Sequence, residues 1–328
     1  MKTSHEHRLN YSPSPSPPPG AEIPAEGAGW RLDTALARLF PEHSRSRLQA
    51  WLKQGLIRVD GGAAEPKCKV YGGERIAFDA AAVPPALRSA SFGALAGVAE
   101  DIALRVAFED EHLVVIDKPA GLVVHPGNGN ASGTLFNALL HHAPQLAAVP
   151  RAGIVHRLDK DTSGLLVVAK TLTVQTDLVR QMQARAVQRH YFALALGMVE
   201  RDGTVDAPLG RHAVQRTKMA VVRTGGRAAR THYAVVERFP RATLLECRLE
   251  TGRTHQIRVH LASIKHPLAG DPVYGKTKSG DARLDGFRRQ ALHAWRLALR
   301  HPATGIDMAW ESPLPADFAR LLDDLRHG

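Results

Sequence analysis

Apolar and polar positions alternate along this chain in two periods, and the switches between them outline the elements. After a polar start, Leu32, Ala35, Leu36 and Leu39 recur at helical spacing, with Asp33 placed to help cap the helix. A second helix follows over Ser44 to Leu52, with basic residues on its first turn and Leu48, Trp51 and Leu52 facing inward. Ile57 to Gly61 and Glu74 to Phe78 read as short strands. Farther on, Arg105 to Asp110 and Leu113 to Asp117 are strand-like, Thr134 to His142 is helical, and the run Leu165 to Ala169 is a buried strand. Thr173 to Ala184 is an amphipathic helix, Arg189 to Gly197 a strand, and Thr231 to Arg238 and Thr243 to Glu250 two more. Thr251 to Leu261 starts at a glycine turn and continues with helical spacing, so His255 and Arg258 share a face. Gln290 to Ala294 resumes a buried strand, and Phe318 to Leu325 closes the chain as a helix.

The stretches without either period divide the chain. Residues 1–29 are polar and centred on a Ser/Pro run, which predicts an extended, mobile tail. Residues 30–84 form a small α/β module, 85–100 an Ala/Pro/Ser-rich linker, and 101–328 the large domain. Pro208 to Arg230 reads as a basic loop, and the segment after Gly275 as a mobile polar insertion reaching about Gly286.

Composition narrows the partners. With 43 Lys and Arg against 32 Asp and Glu, the net charge of +11 favours a polyanion. Cys68 and Cys247 stand too far apart for a disulfide framework or a zinc cluster and suit a reducing cytoplasm. No apolar run is long enough to span a bilayer, so no membrane partner is expected. The chain has no HExxH, no GxxxxGKS, no GxGxxG after a strand and no GxSxG elbow. Zinc, nucleotide-driven, dinucleotide and serine-hydrolase chemistry therefore lose their support.

What remains is centred on Arg151 to Lys170, where His156, Arg157, Leu158, Asp159, Lys160 and Asp161 fill a loop between buried segments. Cations beside Asp159 favour its ionised form, and such a carboxylate can be a base, a nucleophile or a metal ligand. A structural ion pair closing a hairpin is the plainer reading of the same residues.

Three separated stretches carry a resemblance. HRLDKDTSGLLVVAK, the basic-x-Tyr of Arg189-His190-Tyr191, and TGRTHQIRVHL with HPLAGDPVYG resemble the motifs of RluA-family RNA pseudouridine synthases, in the family's order. RLDTALARLF followed by SRSRLQAWLKQGLIRVDG resembles the S4 RNA-binding module, with Arg45, Arg47 and Lys53 as candidate RNA-backbone contacts. The resemblance implies an α+β fold: a mixed, largely antiparallel central sheet with flanking helices and a central catalytic cleft, preceded by the S4-like module. It implies a cytoplasmic, monomeric isomerase that needs no metal and no small-molecule cofactor. The substrate would be uridine in large-subunit ribosomal RNA, free or in a pre-ribosomal particle.

By the same resemblance Asp159 is the catalytic aspartate, attacking the glycoside or assisting elimination at the sugar. Arg258 pairs with it. Tyr191 stacks on the target base and helps remove a proton, its plainer role being core packing. Arg157 fills the space vacated by the extruded nucleotide, or else closes a loop salt bridge. His156, His125, Arg253 and His255 contact substrate or line the pocket, with Leu158 and His293 in support. Two other classes stay open: an RNA-binding assembly factor with secondary activity, and a nucleoside-hydrolysing or base-exchanging enzyme.

Overall fold

The computed structural model describes residues 21–40, 45–78, 98–127, 130–212, 214–215, 218–275 and 278–327, the side chains of Ser46 and Arg47 excepted. The Ser/Pro run and most of the expected linker lie outside the described residues. Two compact units divide the chain, Met1–Gly93 and Ala94–Gly328.

In the first unit, β1 (Ala21–Glu22), β2 (Ile57–Val59) and β3 (Arg75–Phe78) form an antiparallel sheet in the order β1-β3-β2. With α1 (Leu32–Leu39) and α2 (Arg45–Lys53) they enclose Ile23, Leu32, Leu36, Leu48, Ile57 and Ile76. This corrects the expected tail. Ile23 is fully buried and β1 pairs with β3, so order begins by Ala21 rather than after Gly29. Asp33 is also not a cap: its fully buried carboxylate accepts from Arg31 Nη2 at 2.8 Å, Arg45 Nη2 at 2.6 Å and Gln49 Nε2 at 2.6 Å. Burial opposes its charge, but these donors hold the carboxyl far below its ordinary range and staple α1 to α2.

The second unit is built on one sheet. Its strands are β4 (Val106–Glu109), β5 (Leu113–Lys118), β6 (Ser163–Ala169), β7 (Gln188–Leu196) and β8 (Gly203–Asp206), then β11 (Arg230–Phe239), β12 (Ala242–Leu249), β13 (Leu292–Arg300) and β14 (Asp307–Glu311). The order is β4-β5-β6-β13-β7-β12-β11-β8, with β14 on β13. Between them in sequence, β9 (Leu209–Arg211) and β10 (Met219–Val221) make a separate antiparallel hairpin where a loop was expected. All pairings among the described strands are antiparallel except β6 with β13.

Alternation along the strands sorts the core into two layers. Val114, Ile116, Leu166, Val168, Tyr191, Ala193, Leu245 and Cys247 face α3 (Leu135–His142) and α5 (Gln256–Ser263). Their neighbours face the other way: Val115 and Val167 under α4 (Leu172–Gln183), Leu194 and Leu244 under α7 (Ala316–His327). The expected linker ends early, since Asn137 Nδ2 donates to Val98 O at 2.8 Å and Glu100 accepts from Gly133 N. The expected mobile insertion contains α6 (Ala282–Gly286), capped by Asp281 and anchored by buried Leu284. Lys276 and Thr277 lie outside the described residues.

Candidate active site

The loop bearing Asp159 is fixed from several sides before any charge is considered. It enters from Gly153 and leaves into β6, whose Gly164 has φ +109 and sits so close to β13 that a Cβ would lie 2.2 Å from Ala294 O. Only glycine fits there, and the tight approach allows the parallel pairing of β6 with β13. Ser163 Oγ bonds His293 Nδ1 at 3.0 Å, and His293 Nε2 bonds Ser312 O at 3.1 Å. Arg289 Nη1 donates to Asp161 O at 3.1 Å, and Gln290 Nε2 to Thr162 Oγ1 at 3.1 Å.

A buried lysine completes the frame. Lys118 Nζ donates to Pro119 O at 2.7 Å, Leu122 O at 2.9 Å and Lys160 O at 2.9 Å. Three carbonyl acceptors call for all three N–H groups of an ammonium. Burial pulls the pKa of this group down to about 7, while Asp161 and Asp159 oppose that fall.

Asp159 is then met from a distant segment. Arg258 Nη1 donates to Asp159 Oδ2 at 2.9 Å, while Arg258 Nε and Nη2 donate to Asp271 Oδ2 and Oδ1 at 2.7 and 2.9 Å. Asp271 Oδ1 also accepts the N–H groups of Val273 and Tyr274. The fork on Asp271 fixes the guanidinium plane, which leaves one N–H aimed at Asp159. Burial disfavours the charge on Arg258, but Asp271 first and Asp159 second raise its pKa above the ordinary value. Asp159 keeps 17% of its side chain exposed against 5% for Arg258, so the pair is open on the carboxylate side.

The other oxygen is not hydrogen-bonded to His255, whose Nε2 lies 3.9 Å from Asp159 Oδ1. His255 caps α5 in a left-handed conformation, φ 57, and bonds Tyr274 Oη through Nδ1 at 2.9 Å. Burial lowers the His255 pKa, with Asp159 pulling the other way. Tyr191 projects from β7 into the same layer as Leu158, Cys247 and Ile257. Burial raises its phenol pKa and the nearby Asp159 adds to this, so at neutral pH Tyr191 is a hydroxyl, not a phenolate.

The remaining expected residues divide. Arg157 is exposed and makes no ion pair among the described residues, which removes the loop salt bridge. Its charge reaches His125 and His255; burial first, then Arg151 and Arg157, lower the His125 pKa to about 4. His156 corrects the expectation of a substrate contact: Nε2 accepts the Val167 N–H at 3.1 Å, and Nδ1 is buried without a partner among the described residues. It braces the loop against β6 instead. Arg253 Nε donates to Ala228 O at 3.2 Å rather than toward Asp159. Arg45 is spoken for in part by Asp33, Lys53 is exposed, and the side chain of Arg47 lies outside the described residues.

Reasoning from the sequence missed Lys118, Asp271, Tyr274 and Arg289. Lys118 stood next to a Pro/Gly turn and Asp271 and Tyr274 within a Pro/Gly-pinned loop, and the turn chemistry hid their side chains. No three His, Cys, Asp or Glu side chains among the described residues are grouped to hold a metal ion. The arrangement offers one carboxylate oxygen held by an arginine, one without a hydrogen bond from its neighbours, a buried phenol, and the charge of exposed Arg157 within reach of His125 and His255. This suits attack or proton transfer at a polar, anionic substrate with a planar group.

Comparison with known proteins bears on the same residues. The sequence pattern of RNA pseudouridylate synthases matches residues 112–263, and that of the S4 domain residues 30–76. The ribosomal large subunit pseudouridine synthase D of Nitrosomonas europaea is 59% identical, covering 93% of this chain and 87% of its own. That of Pseudomonas aeruginosa is 54% identical, covering 93% and 95%. Among solved structures, human RNA pseudouridylate synthase domain containing 4 superposes with a TM-score of 0.55 at 27% identity, covering 68% of this chain and 93% of that one.

Proposed function

This chain belongs to the RNA pseudouridylate synthase family, and on that premise we propose that it isomerises uridine to pseudouridine in large-subunit ribosomal RNA at Asp159. The observation that carries the reading is the asymmetric carboxylate, Oδ2 tied to Arg258 and Oδ1 left open. In the reaction the C1′–N1 bond breaks, the base turns, and a C1′–C5 bond forms. The proton leaving C5 balances the one gained at N1, so no redox partner enters. Attack at C1′ and proton removal from the sugar both start from the open oxygen. Arg258 keeps the carboxylate charged and aimed.

A uridine must leave its stack to reach Asp159, at a cost of about a few kcal/mol. Arg157, exposed and without an ion-pair partner among the described residues, would fill the gap, and Tyr191, in the core layer with Leu158, would stack on the base. The basic surface positions the RNA backbone, with the S4-like unit adding contacts through Lys53 and the exposed part of Arg45. Two free cysteines support a reducing cytoplasm as the compartment.

The test is incubation of the purified chain with large-subunit ribosomal RNA, followed by pseudouridine mapping and mass analysis. A mass-silent conversion at defined uridines is expected. Release of free uracil would make the chain a nucleoside hydrolase, and unchanged RNA would leave it an RNA-binding factor.

A further inference from the structure

A hydrogen-bonded pair, Tyr274 and His255, stands 3.9 Å from the Asp159 oxygen that Arg258 does not hold, and its protons can be placed. Tyr274 Oη accepts the Met219 N–H at 3.0 Å and lies 2.9 Å from His255 Nδ1. A phenol has one proton to give. If His255 Nδ1 also carried hydrogen, Tyr274 would accept twice and its own proton would have no acceptor among the described residues. The arrangement that uses every group sends the Tyr274 O–H to Nδ1. Nε2 then carries the imidazole hydrogen, and Nε2 faces Asp159 Oδ1 at 3.9 Å, the oxygen Arg258 does not hold.

Tyr274 is itself pinned at both ends. Asp271 Oδ1 accepts its backbone N–H at 3.0 Å, and the Arg258 guanidinium sits 5.1 Å from its ring centroid. Met219 belongs to β10, and with Leu209 of β9 and Val259 of α5 it packs around Tyr274 in a small apolar cluster. That hairpin lies within the basic segment carrying Arg211, Lys218, Arg223 and Arg227. The left-handed His255 backbone turns the ring between Tyr274 and Asp159, since one helical residue later the side chain would point elsewhere.

We propose that Tyr274 and His255 are positioning residues that join the basic hairpin to the catalytic carboxylate: the hairpin fixes the Tyr274 hydroxyl, the hydroxyl fixes the His255 tautomer, and the Nε2–H orients Oδ1. The inference rests on the isomerase reading for its consequence, though not for its hydrogen-bond order. Burial lowers the His255 pKa, which keeps the ring neutral and a single tautomer meaningful at pH 7.

Nitrogen-15 NMR of the histidine rings in the full chain tests the order directly. His255 is expected to show an unprotonated Nδ1 and a protonated Nε2, and a hydrogen on Nδ1 would overturn the proposal. In Tyr274→Phe the tautomers should mix, and kcat for pseudouridine formation should fall by about tenfold with KM for RNA changed far less. An unchanged kcat in a folded Tyr274→Phe protein would also overturn it. His255→Gln, which keeps an N–H near the position of Nε2, should retain more activity than His255→Asn, which tolerates the left-handed backbone but ends short of Asp159. Equal losses in the two would contradict the donor role even if Tyr274→Phe does not fold. If the wild-type chain makes no pseudouridine, the isomerase reading fails while the NMR result still decides the relay.

Discussion

Arg258 Nη1 donates to Asp159 Oδ2 at 2.9 Å across 99 positions of sequence. The same guanidinium gives its other edge to Asp271, so a single buried group aims one carboxylate by holding another.

Lysine cannot serve both partners. Arg258→Lys keeps a charge but loses the fork, leaving Asp271 or Asp159 short of a donor. Breaking a buried pair costs about 3–5 kcal/mol, so a lower melting temperature is expected together with a fall in turnover of roughly a hundredfold or more. Steady-state kinetics on ribosomal RNA, beside a melting curve, decide this. Normal turnover in a folded variant would show that the pairing does not aim Asp159.

Lys118 is expected to matter for stability first. Lys118→Met fills similar space but abandons three part-buried carbonyls, with about 1–3 kcal/mol lost for a group left fully unsatisfied and less where water reaches it. Urea unfolding should show a loss of about 1–3 kcal/mol, with slower turnover because Lys160 O is one of the three. A loss below about 1 kcal/mol would mean that water replaces the ammonium without cost.

Acid should weaken the fold through histidines buried neutral. Burial, with Arg189 adding, lowers His156 from 6.5 to about 3; burial, with Arg151 and Arg157, lowers His125 to about 4. Below about 6.5 the unfolded chain takes up protons that the folded chain refuses, so stability is lost as pH falls from 6.5 toward 4. His156→Gln, whose side-chain oxygen can accept the Val167 N–H, should flatten that slope by up to about 1.4 kcal/mol per pH unit. Melting curves between pH 7 and 4.5 measure it, and an identical slope in the variant would remove His156 from this role.

Local signals made much of the fold legible. The run Leu165 to Ala169 is apolar at every position because β6 is covered on both faces, and α4 shows its inner stripe plainly. Where an element gets its order from a neighbour, the chain itself is silent. Ile23 is buried only because β1 adds to β3, and the Pro-rich surroundings hid it. β14 reads Asp-Met-Ala-Trp-Glu, too short and too charged to stand out without β13 beside it. Asp33 resembled a cap because it opens a helix, yet its donors include Arg45 and Gln49 of the next helix.

The site followed the same division. The loop around Asp159 stands out in the sequence, but Tyr191 and Arg258 join it only through family resemblance, since no periodicity links residues so far apart. The resemblance puts His156 at the substrate, whereas the turn points it back at β6. Tyr274 went unread because a tyrosine in a Pro/Gly loop gives no hint that its hydroxyl ends beside His255.

The most direct test is Asp159→Asn, a change that keeps the side chain's size and removes its charge. The variant should melt as a folded protein and still bind large-subunit ribosomal RNA, yet leave every target uridine unmodified when pseudouridines are mapped. Pseudouridine at the wild-type positions, formed by the asparagine protein, would contradict the assignment of the reaction to this carboxylate.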